Sequence, residues 1–111
     1  MNPDDLLQTK LLKLFPDPEK RNAAEAALRQ YGTESYENEP TRVRLAVLKI
    51  SGGDLDLIRK NIATAKQDYR DILAYAEYPR QMGQDSWKLS PAQNRALVAA
   101  DRQEYEEWLR E

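Results

Sequence analysis

Apolar residues fall at Leu55, Ile58, Ile62, Ala65, Tyr69, Ile72 and Ala76, in alternating steps of three and four with polar residues between them. That spacing is the seam of an amphipathic helix packed in coiled-coil fashion, and it predicts a helix over 54–77. Val43, Ala46, Val47 and Ile50 form a facing stripe on a helix over 40–50. Between the two stands "SGGD", Ser51 to Asp54, in which Gly52 can end one helix and Asp54 can cap the next. The pattern predicts a long antiparallel helical hairpin. At 1.5 Å per residue its longer arm would span about 36 Å and its shorter arm about 17 Å, so the far half of the long helix needs another support. Ala24, Ala27, Leu28 and Tyr31 on a preceding helix are one candidate, the alanines permitting close approach.

Prolines mark where the other helices begin. Asn2-Pro3, Asp17-Pro18, Glu39-Pro40 and Ser90-Pro91 each place proline ahead of a helix-forming run. At the first helical position its missing N–H would have had no partner. Asn2, Asp17 and Ser90 suit the N-cap, and Ser90 with Gln93 makes a capping-box pattern. Helices are therefore expected over 3–14, 18–31 and 91–110 as well, with Gly32 at a left-handed C-cap. No alternating pattern calls for a strand. The expected fold is all-α, a compact bundle of four to five helices around the hairpin, formed as a single domain over 1–111.

Composition narrows the chemistry. The 111 residues are 41% hydrophobic and 32% charged, with a net charge of −2, so no basic field for nucleic acid is announced. There are no cysteines and no histidines, which removes disulfides, thiolate metal sites, and the commonest metal ligand and general base. No cofactor is expected. The start "MNPDDLLQTK" has acids where a signal peptide needs cations, and no apolar run reaches membrane-spanning length. A cytoplasmic protein without membrane partners is the expectation.

The stretch "QDYRDILAYAEYP", Gln67 to Pro79, carries the sharpest functional signal. Within one helix over 54–77, Asp68 and Asp71 have no cation at helical spacing and lie toward its negative end, where acids are unfavourable. Tyr75 shares their flank, outside the seam, and Tyr78 lies beside Asp71; Met82 and Trp87 follow in the loop before the last helix. Tyrosine, tryptophan and methionine are enriched in interface cores. Asp68, Asp71, Tyr75, Tyr78 and Trp87 are therefore the candidate partner-binding residues, the tyrosines supplying buried area and the aspartates selecting a basic partner. The structural alternative folds the loop back so that Trp87 packs beside the tyrosines, with the aspartates bridged to arginines such as Arg42 or Arg44. The opposite flank carries Arg59, Lys66 and Arg70, expected to be solvated or loosely paired.

Three other readings compete. Asp68 and Asp71, one turn apart, could hold a metal or act as a coupled acid pair, giving a carboxylate-based metal- or small-ligand-binding enzyme. No phosphate loop, nucleophile elbow or E-x-x-H motif accompanies them. A helix-turn-helix over the glycine turn would present Asp54 and Asp56 to phosphates, which disfavours nucleic-acid binding. Asp101 sits within the apolar face Leu97, Val98, Tyr105, Trp108 and Leu109 of the last helix. Buried there it needs an arginine or a helix N-terminus, unless that face is left open for an oligomer interface. The expectation overall is a small non-catalytic interaction or regulatory protein, acting through a protein partner or self-association.

Overall fold

A computed structural model describes residues 3–83 and 86–111, so the expected Asn2 cap lies outside the described residues. Among the described residues seven α-helices follow in order: α1 (Pro3–Leu14), α2 (Pro18–Leu28), α3 (Pro40–Ser51), α4 (Leu55–Gln67), α5 (Tyr69–Glu77), α6 (Pro79–Met82) and α7 (Pro91–Arg110). A 3-10 turn, Ser86–Lys88, precedes α7. No strand occurs among the described residues, and the helices pack into one compact all-α globule.

Local chemistry starts these helices as the caps require. The Lys20 N–H donates to Asp17 Oδ2, and the Asp56 and Leu57 N–H groups donate to Asp54 Oδ1. Ser90 and Gln93 form the reciprocal capping box, each backbone N–H donating to the other's side chain. Glu39 is different: it caps α3 in the left-handed region at φ 50, without a side-chain cap bond, and its carboxylate turns to Arg42 instead. Gly52, at φ 61, ends α3 with its N–H on the Leu48 carbonyl. α2 stops at Leu28 rather than Tyr31, because the chain tightens there into i→i+3 bonds before Gly32 at φ 101.

The long helix expected over 54–77 is two helices. Asp68 adopts an extended conformation, φ −156 and ψ 100, and serves at once as C-cap of α4 and N-cap of α5. Its backbone N–H still reaches Thr64 O at 2.9 Å, while its side chain accepts the Arg70 N–H at 3.0 Å. The break resolves the length mismatch in the hairpin. α4 packs on α3 and α2, whereas α5 turns onto α3 and buries Ile72, Leu73 and Ala76. The far half of the seam thus rests mainly on α3; of the expected supports, Ala24, Ala27 and Leu28 are buried in α2, which packs on α4, and Tyr31 lies by Tyr69. Seam burial survives the break: Ile58, Ile62, Ala65, Ile72 and Ala76 are all buried.

α3 is the central element. Leu45 and Leu48 are buried along with Val43, Ala46 and Val47, since α1, α4 and α5 cover it from different sides. Urea denaturation of Ile62→Ala should show a loss of about 2–5 kcal/mol, the range for truncating a buried aliphatic. Exposed Lys60→Ala should stay within about 0.5 kcal/mol. Equal costs would show that the α4 seam is not the packed face.

Candidate interaction surface

The residues around Asp68 rearrange the expected site. Arg70 donates to Asp68 from Nε at 2.9 Å and Nη2 at 3.0 Å, a pairing two residues apart that a continuous helix would forbid. The Arg70 hydrogen bonds hold the Asp68 carboxyl below the usual range. The expectation of an unpartnered Asp68 is therefore corrected: it is a helix cap and half of an ion pair. Asp71 falls in the first turn of α5, at the positive end of a helix dipole, where a carboxylate is favourable. Its side chain is exposed and forms no ion pair or hydrogen bond among the described residues.

Asp71, Tyr75 and Tyr78 recur at four and three residues and so share one line along α5 and its C-cap. Tyr75 is 57% exposed and Tyr78 40%. Tyr78 is anchored at its tip, where its hydroxyl accepts a 3.3 Å bond from Arg42 Nη2. Arg42 is itself fixed by Glu77, with Nε to Oε2 at 2.8 Å and Nη2 to Oε1 at 2.6 Å, and by Glu39. Arg44 points elsewhere, donating to the Leu28 and Tyr31 carbonyls at the end of α2. Neither arginine bridges to Asp68 or Asp71, contrary to the structural alternative.

Trp87 does not anchor its loop. It stands on the 3-10 turn, 79% exposed, with Lys88 Nζ 4.9 Å from its ring centroid, and no ring contact joins it to Tyr75 or Tyr78 among the described residues. The cationic flank is paired, but only Lys66 reaches another element, the buried Glu37; Arg59 pairs with Asp56 and Arg70 with Asp68 close by in sequence. Asp101 is 1% exposed and receives two kinds of partner together. The Arg80 and Gln81 backbone N–H groups at the start of α6 donate to it at 3.1 and 3.2 Å, joined by Arg80 Nη1 and Gln81 Nε2 at 3.1 and 3.0 Å.

Two buried charges had no sequence signal. Lys10 lies under the end of α7, donating to the Trp108 and Glu111 carbonyls with its ammonium 4.6 Å from the Trp108 ring centroid. Glu37 gathers the loop after α2 around itself. Nothing in a single lysine or glutamate code marks such long-range capping; only the end of α7 meeting α1, and the loop closing on α4, create the need. Among the described residues no three carboxylates gather into a cluster that could hold a metal ion. No protein-family model matches the sequence, and no curated protein or solved structure is significantly similar to it.

Proposed function

We propose that this protein is a small non-catalytic interaction or regulatory protein that acts through a protein partner or self-association at the α5 stripe Asp71, Tyr75 and Tyr78. Asp68 shapes the start of that stripe, and Trp87 is an exposed aromatic outside it. The observation that carries this reading is the exposure of Tyr75 beside an exposed Asp71 whose side chain makes no hydrogen bond or ion pair among the described residues, on a helix whose other face is committed to the core. Large aromatics on a rigid helix lose little entropy on binding, and a free carboxylate steers a basic partner toward them. A cytoplasmic setting belongs to the same proposal, in keeping with a chain free of cysteine. The alternative, an enzyme built on Asp68 and Asp71, has less support, because Asp68 spends its oxygens on Arg70 and the α5 N-terminus.

Affinity capture followed by titration of the captured protein tests the proposal. Asp71→Asn and Tyr75→Ala should leave stability within about 0.5 kcal/mol, since both residues are exposed. Asp71→Asn should slow association and reduce its salt dependence. Tyr75→Ala should act mainly by faster dissociation. Unchanged affinity in both variants would remove this surface from consideration, and a melting-temperature rise with Mg²⁺ or Mn²⁺ that Asp71→Asn abolishes would favour the enzyme.

A further inference from the structure

A second exposed stripe runs along the first half of α7. Arg95 and Arg102 lie seven residues apart on one face, with Val98 and Ala99 between them. Both arginines are exposed and neither has an ion pair or hydrogen bond among the described residues. Val98 is 40% exposed. These side chains line a shallow groove that continues past Val98 and Arg102 to Tyr78 and Gln81. The basic, apolar stripe of α7 and the acidic, aromatic stripe of α5 therefore adjoin the same groove, at Tyr78. Each covers seven residue steps, about 10 Å of helix.

We propose that a second copy of this chain covers both stripes in a two-fold dimer, the α5 stripe of each copy lying on the α7 stripe of the other. The proposal rests on the reading of α5 as an interaction surface and names its partner. A two-fold interface needs a self-complementary patch, and this one holds opposite chemistry on either side of a shared border. Residues at the border, Tyr78 with Val98 and Arg102, lie near the axis, while Asp71 and Arg95 are the outer ends. Rotation about that axis brings Asp71 to Arg95 of the partner subunit, and sets Arg102 of the partner subunit against the Tyr75 ring, where a guanidinium stacks well. Simple antiparallel pairing of the two α7 helices about Val98 and Ala99 is disfavoured, because it would oppose Arg95 to Arg102. Each contact occurs twice, so each charge reversal is felt twice.

Sedimentation equilibrium of the full chain tests this. The wild type should form dimers whose dissociation constant rises between about 0.05 and 0.5 M salt. Asp71→Arg and Arg95→Asp should each weaken the dimer by at least about tenfold, and combining them should restore it to within about threefold. Unaltered melting temperatures of these surface variants, compared at concentrations where every form is monomeric, would exclude misfolding as the cause. A chain monomeric up to about 0.5 mM, or a double variant no better than the single ones, overturns the dimer. If the monomer's captured partner still loses affinity on Tyr75→Ala, only the self-association falls and the α5 surface stands. A dimer lost on Arg102→Asp but indifferent to Asp71→Arg and Tyr75→Ala overturns the pairing of α5 with α7.

Discussion

Replacing Asp101 with alanine should destabilise the fold by about 2–4 kcal/mol, measured by urea denaturation, although the residue replaced is the most polar on its face of α7. Four donors from α6 converge on the carboxylate, two of them backbone N–H groups with no intrahelical acceptor. Alanine leaves those part-buried groups without their acceptor, and α6 loses its main tie to α7. Asparagine should cost less, because one oxygen still accepts while its amide faces donors. Arg80→Ala should cost least, since Arg80 is partly exposed and its backbone N–H keeps its partner. Burial pushes the Asp101 carboxyl up, but hydrogen bonds from Gln81 and Arg80 outweigh it and hold it below the usual range. Its contribution is thus present above the ordinary carboxylate pKa and is lost in strong acid. An Asp101→Ala stability within about 0.5 kcal/mol of wild type would show that these bonds contribute nothing net.

The apolar periodicity over Leu55–Ala76 carried the architecture, since a seam that must be buried survives a local change in backbone. It could not show the break, because 4-3 spacing continues through Asp68 without interruption. The information was present as polar chemistry. Asp68 followed three residues later by an acid at Asp71 is the pattern of an N-cap and first turn, the same logic that placed Asp17 and Ser90. Reading Asp-x-x-Asp as a pair of ligands passed over its commoner use. The break then decides what the two acids do: one is consumed as a cap, and only the other remains on the surface.

The site was legible to the extent that single-helix geometry defines it. Asp71, Tyr75 and Tyr78 share a line on α5 whether α4 continues or ends, so their co-location needed no tertiary knowledge. Trp87 required a loop conformation that no periodicity encodes, and it stands apart. The arginines of α7 were hidden for another reason. Arg95 and Arg102 look like ordinary solvated charges until α6 and the end of α5 bring Tyr78 beside Arg102. Arg42 and Arg44 are likewise alike in sequence, yet one locks Glu77 and the other caps α2.

Glu37→Ala should be comparably costly, about 2–4 kcal/mol, and it should carry an acid-pH signature that Ile62→Ala lacks. Glu37 is buried in the loop between α2 and α3. Its Oε1 accepts the backbone N–H groups of Gly32, Thr33 and Glu34 at 2.9, 3.0 and 3.2 Å. Its Oε2 accepts no well-aligned hydrogen bond, but Lys66 Nζ stands 2.8 Å away and neutralises it as an ion pair. The loop cannot easily relax around a lost carboxylate. Gly32 is held at φ 101, and a Cβ there would lie 2.6 Å from the Pro40 Cβ. The Lys66 ammonium and the three N–H groups hold the Glu37 carboxyl down at about 2, against the opposing effect of burial. A folded-state pKa depressed from 4.5 contributes stability that is whole above that value and is lost as pH falls toward 2. That contribution is on the order of 3 kcal/mol. Denaturation midpoints of the wild type should therefore fall through this window. Glu37→Gln, which keeps an acceptor for the N–H groups and removes the charge, should show a shallower fall by the equivalent of one proton. Parallel acid profiles for wild type and Glu37→Gln would mean that neither Lys66 nor the three N–H groups favour the charged carboxylate over the neutral one.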